Sequence, residues 1–376
     1  MIADLPNFLD LAQPGVRSLS PYEPGKPLEE LEREYGISGA VKLASNENPL
    51  GISPLALKAA VSALEGVARY PDGNGFALKR ALAEKHGIGS EHITLGNGSN
   101  DVLELVARTF LGPGTNAVFS EHAFAIYPIA TQAVGAEARV ASASPADRAI
   151  PYGHDLEAIA ARMDEGTGVV FIANPNNPTG TWLARAELEG FLHELPGSVI
   201  AVVDEAYFEY VEEPDYPDAS RWLERYPNLL VTRTFSKIYG LAGLRVGYGL
   251  SHPRIADLLN RVRQPFNVGG VAQAAALGAL TDRDHVRRSI SLNRKGLRQL
   301  GEAFERMGLG VIPSAANFLA VDVGRPAGGV YEALLRRGVI VRPVASYGLP
   351  TFLRITVGAA KENMAVIEAL REVLDV

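Results

Sequence analysis

Five short runs of Val, Ile, Leu and Phe, each closed by polar residues, constrain this chain more than any other feature. They are ITLG from Ile93, NAVFS from Asn116, VVFIAN from Val169, VIAVVDEA from Val199 and NLLVTRTF from Asn228. Runs this short, rich in β-branched residues and bounded by turn formers, read as buried strands. Helical patterns alternate with them. After ITLG, the segment SNDVLELVARTFL places Val102, Leu105, Val106 and Thr109/Phe110 at helical spacing, with Ser99 or Asn100 as the expected N-cap. Strands apolar on both sides belong to a parallel sheet covered on both faces. Their alternation with helices over roughly 200 residues predicts a doubly wound α/β domain, placed at 46–265.

The flanks read differently. Residues 1–45 are rich in Pro and Gly (LAQPGVRSLSPYEPGKP) and suggest an extended arm ending in a short strand, AVKLA. From 266 to 376 the chain begins with a largely helical stretch, Gln273 to about Met307, that bridges to a smaller α+β domain. Strand signals there are FLAVDV, VIVRPV and FLRITVG, and helices are expected near Gly329–Arg337 and Glu362–Val373.

Composition removes several function classes. A net charge of -7 gives no electrostatic footprint for nucleic acid. With no cysteine there is no disulfide, iron–sulfur cluster or thiolate zinc site, and the seven scattered histidines show no metal-binding spacing. The N-terminus is acidic and unlike a signal peptide, and no apolar stretch is long enough to span a membrane. A cytoplasmic enzyme without a metal is the expectation.

Ligands of open α/β sheets sit beyond the carboxyl ends of the strands, and those ends carry the chemistry. NLLVT leads into Thr234-Phe235-Ser236-Lys237, with Arg245 eight residues after the lysine. One amine, two hydroxyls and a guanidinium suit a cofactor with both an aldehyde and a phosphate, which is pyridoxal phosphate. Lys237 would form the imine; Thr234, Ser236 and Arg245 would hold the phosphate. Gly96-Asn97-Gly98-Ser99-Asn100-Asp101 turns from strand to helix as a phosphate-binding turn does, and Asp101 breaks the dinucleotide G-x-G-x-x-G spacing. Asn177, in NPNNPTG, has an amide to offer a cofactor oxygen. Asp204 closes VIAVV where an aspartate keeps a pyridine nitrogen protonated, and Tyr207 follows it. A nucleotide triphosphatase also ends a strand in Asp-Glu, but the glycine-rich lysine loop it requires is absent. Phe124 suits stacking on a planar ring. Arg354 and Arg342 both lie in apolar strand signals, where an anionic ligand is a better partner than solvent.

These elements, in this order, resemble the histidinol-phosphate aminotransferase family over nearly the whole chain. The matching stretches are LSPYEPGKP, KLASNENPLG, RYPDGNGFAL, LGNGSNDVLELV, NPNNPTG, VVDEAYFEY, RTFSKIYGLAGLRVGY, ANF and YGLPTFLRITVG. The resemblance implies a fold-type I pyridoxal phosphate enzyme of the class II subgroup, with a mostly parallel seven-stranded sheet in its large domain. It implies that Lys237 links the cofactor and shuttles the proton, and that Asp204 pairs with the ring nitrogen. Asn177 and Tyr207 would contact the ring oxygen, and Phe124 would stack where many members have tyrosine. Backbone amides around Ser99 and Asn100 would join Thr234, Ser236 and Arg245 on the phosphate. Arg354 would bind the glutamate carboxylate and share the substrate phosphate with Arg342 and Tyr22. Asn46, Asn177 and Asn317 complete the implied substrate contacts. Tyr70 would reach the cofactor of a neighbouring subunit, making a homodimer with shared sites, and the N-terminal arm would carry Tyr22 across as well. The implied reaction exchanges an amino group between L-histidinol phosphate and 2-oxoglutarate, in histidine biosynthesis. An aromatic amino acid aminotransferase, a phospho-amino-acid decarboxylase and a cofactor-binding regulator are the alternatives on this scaffold.

Overall fold

A computed structural model describes residues 8–22 and 24–376; the first part of the acidic N-terminus, residues 1–7, and Glu23 lie outside the described residues. The five apolar runs form strands Ile93–Gly96, Asn116–Ser120, Thr167–Ala173, Ile200–Asp204 and Leu229–Thr234. Glu137–Ala141 and Gly247–Ser251 join them to make seven. Across the sheet they lie in the order Ile93, Gly247, Leu229, Ile200, Thr167, Asn116, Glu137 (by first residue). Both pairings of Gly247–Ser251 are antiparallel and the others are parallel.

The continuous apolar runs have the expected cause. Val170, Ile172, Ala201, Val203 and Val231 point into one core, with Leu78 and Leu82 of helix Phe76–His86. Their neighbours Val169, Phe171, Val202 and Leu230 point into another, with Val102, Leu105 and Val106 of helix Ser99–Phe110 and Leu259 of helix Pro253–Val262. Each of these central strands is buried on both faces, so none alternates.

The N-terminal arm departs from the extended expectation. It carries helices Phe8–Leu11, Pro14–Arg17 and Leu28–Tyr35 before strand Val41–Lys42. That strand runs parallel to Val339–Ile340, and Leu31 packs with Ala44, Leu335 and Ile340. The beginning of the chain thus builds part of the C-terminal core. That core also holds a four-stranded antiparallel sheet, ordered Arg342–Pro343, Phe352–Thr356, Phe318–Asp322, Gly310–Ile312. Helices Ala327–Leu335 and Ala360–Leu374 cover it. The bridging stretch is two helices, Gly270–Thr281 and Arg283–Arg306. The second packs Val286 and Ile290 on the large core, and Leu300, Ala303 and Phe304 in the small one. Among the described residues, no helix is long and apolar enough to cross a membrane.

Candidate active site

The carboxyl ends of the parallel strands open into a cavity of about 370 Å3 between the two cores. The reversed strand Gly247–Ser251 has its first residue at that same edge, in register with both Gly96 and Thr234. Arg245, just before it, therefore arrives beside the Thr234-Phe235-Ser236-Lys237 turn, and its Nη1 donates to Ser236 Oγ at 3.2 Å. Close approach here depends on glycine. A Cβ on Gly247 would lie 2.3 Å from the Ser99 amide nitrogen, and one on Gly98 would lie 2.4 Å from Arg245 Nη2.

The expected N-cap is corrected by the structure. Gly98, at φ +81°, is the N-cap of helix Ser99–Phe110, with no side chain capping it. Ser99 and Asn100 fall inside the first turn, and the Asn100 side chain donates to Glu104 instead. Ser99 and Asn100, in the opening turn of this helix, line the cavity beside Thr234, Ser236 and Arg245. Free helix N–H groups with a guanidinium form an anion cradle.

Lys237 lines the middle of the cavity, its Nζ donating to the Ser45 carbonyl at 3.1 Å. Burial, then the charge of Arg354, lowers its pKa to about 7. Asp204 is 5% exposed. Thr232 Oγ1 donates to its Oδ1 at 2.8 Å and Tyr127 Oη to its Oδ2 at 2.9 Å. Burial raises the Asp204 pKa, and those two hydroxyls oppose the rise. Phe124 lines one wall, edge-on to Tyr127.

Tyr207 lines the cavity and accepts a hydrogen bond from Asn46 Nδ2 at 2.9 Å. Burial pushes its pKa up to about 12. Asn46 is tied to the small core through Thr356 Oγ1 and through its own carbonyl, which accepts from Asn317 Nδ2 at 3.0 Å. Asn317 is 1% exposed and sits behind Asn46, so it supports the cavity without lining it.

At the far end, register settles what spacing left open. Arg342 and Arg354 face each other directly across two antiparallel strands. Arg354 is 6% exposed; it donates to the Asn177 side-chain oxygen and, at 2.6 Å, to the Ala44 carbonyl, while its Nε has no hydrogen-bond partner among the described residues. Arg342 lies over the Tyr22 ring, 5.7 Å from its centre. Tyr22 thus lines the cavity of its own chain. Tyr70 is 82% exposed, outside the cavity lining, with its ring stacked on Phe266 at 4.7 Å.

Sequence reasoning missed Tyr127, Thr232 and the Ala44 and Ser45 carbonyls. Thr232 left a signal, as a polar residue inside an apolar run. Backbone carbonyls leave none. Among the described residues no group of acidic residues and histidines could hold a metal ion.

A family model, aminotransferase class I and II, matches residues 38–373. Histidinol-phosphate aminotransferase 2 of Pseudomonas aeruginosa is 60% identical over 370 residues, 98% of this chain and 99% of that protein. Histidinol-phosphate aminotransferase 1 of Nitrosococcus oceani is 56% identical over 368 residues, 98% of each. The crystal structure of histidinol-phosphate aminotransferase from Sinorhizobium meliloti, in complex with pyridoxal-5'-phosphate, is similar with a TM-score of 0.88 and 30% identity. That likeness covers 96% of this chain and 97% of that one.

Proposed function

The chain belongs to the class I and II aminotransferases, and from that membership we propose that it is a pyridoxal phosphate-dependent transaminase acting between L-histidinol phosphate and 2-oxoglutarate, in histidine biosynthesis. The residues present fit the cofactor. Gly98 and Gly247 let Arg245 and the opening of helix Ser99–Phe110 pack closely together, and Ser99, Asn100, Thr234, Ser236 and Arg245 all line the cavity. An amine of depressed pKa stands in the same cavity as a buried carboxylate. When bound, pyridoxal phosphate supplies an aldehyde carbon that takes up an amine and a ring that accepts the electron pair released with a substrate proton.

The protein's residues do the rest. Thr234, Ser236, Arg245 and the Ser99 and Asn100 amides would hold the phosphate. Phe124 would pack against the ring. Asp204 would pair with the ring nitrogen and favour its protonated form, because a buried carboxylate in low dielectric attracts a cation strongly. Asn177 and Tyr207 would contact the ring oxygen, with Asn46 fixing the Tyr207 hydroxyl. Lys237 Nζ, near pKa 7, takes and returns a proton at the substrate carbon without a large penalty either way.

One observation carries the substrate reading: Arg342 and Arg354 stand opposite each other in register. Like charges directly across a strand pair are destabilising, and a doubly charged phosphate reaching both offsets that cost. Arg354 alone suits the carboxylate of glutamate. Tyr70, exposed and outside its own chain's cavity, supports a homodimer in which it serves the partner's site. Exposed Leu55, Leu57, Val61, Leu64 and Val67 on the neighbouring helix and turn offer the apolar face such a dimer needs. We place the enzyme in the cytoplasm.

A half-reaction screen tests the assignment. Cofactor-loaded protein is mixed separately with histidinol phosphate, glutamate, phenylalanine, tyrosine and threonine phosphate, and its visible absorbance is followed. Histidinol phosphate and glutamate should each convert the chromophore. Response to the aromatic amino acids with none to histidinol phosphate would overturn the assignment, as would carbon dioxide release from threonine phosphate without a keto acid.

A further inference from the structure

We propose that Tyr127 is a positioning residue for this chemistry: its phenol holds the Asp204 carboxylate and its ring holds Phe124, so one side chain sets both groups that meet the cofactor ring. The proposal rests on the reading above that Asp204 faces the ring nitrogen. Tyr127 is 0% exposed and does not line the cavity, so it touches no substrate. It lies on helix Ile126–Ala133, three residues beyond Phe124. Its ring is stacked on Phe171 at 4.8 Å with planes 6° apart. Phe124 meets it edge-on, at 5.9 Å and 89°. Phe119 lies 6.3 Å away on a third side.

A phenylalanine would satisfy all three ring contacts. Carrying a hydroxyl into this aromatic cluster costs free energy unless it is bonded, and its bond goes to Asp204 Oδ2. With Thr232 on Oδ1, the hydroxyls give each carboxylate oxygen one donor. Donors to the ionised form are what oppose burial and keep the carboxylate charged. The phenol itself remains protonated, because burial and the nearby carboxylate raise its pKa well above the ordinary value. The other groups facing this pair are Lys237 and the Ala206 amide, toward Asp204, and Tyr207, toward Tyr127.

Four proteins test the idea: wild type, Tyr127→Phe, Asp204→Asn and the double variant. Each is measured for apoprotein melting temperature, for binding of pyridoxal phosphate titrated into apoprotein, and for kcat and KM with glutamate. Tyr127→Phe should melt close to wild type. It should bind the cofactor several-fold more weakly and lose about tenfold in kcat, the scale of one hydrogen bond to a charged group, with KM little changed. Added to Asp204→Asn, it should cause no further loss in either property. Equal losses in both backgrounds would mean that the hydroxyl acts independently of the Asp204 carboxylate and overturn the proposal, as would unaltered kcat and affinity in Tyr127→Phe. If Tyr127→Phe folds poorly, Tyr127→His decides. It keeps a donor and should exceed the turnover of Tyr127→Leu, whereas a packing role ranks them the other way. Near-normal turnover of Asp204→Asn itself would sink the Asp204 reading and this proposal with it, a result distinct from the others.

Discussion

At the scale of single residues, Lys237 makes the sharpest commitments. Reduction of the loaded enzyme with borohydride, followed by peptide mapping, should find the pyridoxyl group on Lys237; a label on Lys42 or Lys295 would refute the assignment. Its pKa of about 7 also has a stability consequence. Between about 7 and the ordinary lysine value of about 10.4, the unfolded chain binds a proton that the folded chain does not. Stability of the apoprotein therefore rises with pH across that window, and the full penalty applies below it. Lys237→Met apoprotein should exceed wild type most at or below neutral pH, with the gap closing toward pH ~10 in urea titrations. A gap independent of pH would mean that the amine is not depressed. Asp204→Asn should retain the cofactor and lose on the order of 10²-fold in turnover. Arg342→Ala should weaken histidinol phosphate by roughly 1.5–3 kcal/mol and affect the glutamate half-reaction much less. Equal damage to both would point to a purely structural arginine and favour the aromatic alternative.

Among elements, the reversed strand Gly247–Ser251 matters most, because it returns the chain to the edge where the proposed phosphate-binding residues lie. Gly247→Ala puts a Cβ against backbone atoms of Gly98, Ser99 and Arg233, which cannot rotate away. It should cost roughly 1–3 kcal/mol in denaturant unfolding, as overpacking does, and lower cofactor affinity too. A variant with normal stability and affinity would show that the helix can retreat. The same strand shows where a sequence stops being legible. GYGLS has two glycines and no apolar run, and Glu137–Ala141 is a partly exposed edge, so neither stood out. The strands buried on both faces did stand out, and the polar residues closing them located Asp204, Thr234 and Lys237. Arg342 and Arg354 were legible as arginines in apolar strand signals but not as neighbours, since register depends on the turn between their strands. Tyr127 was invisible because an aromatic residue on a helix has the spacing of ordinary core. In the arm, proline and glycine masked LEELEREY, whose Leu31 fixes a helix to the C-terminal core.

At the scale of the whole molecule, assembly decides which chain completes each site. If Tyr70 serves the partner's site, mixing inactive Lys237→Ala with Tyr70→Ala should raise activity above the sum of the two. Random reassociation leaves half the dimers mixed, each with one intact site, so recovery should approach about a quarter of wild type. Heterodimers without such a gain would show that Tyr70 works within its own chain or not at all. The pairing of Val41–Lys42 with Val339–Ile340 bears on synthesis. The arm strand leaves the ribosome first, and its partner follows roughly 300 residues later. At ~5–20 residues per second the arm waits roughly 15–60 s for the strand it will pair with. The Lys237 sheet is meanwhile complete in sequence and free to fold. Ribosome-arrested chains ending near residue 320 should accordingly be cut by protease within the arm while the sheet resists. Full-length chains should lose that sensitivity, so the last part of the protein to be made is what closes the first.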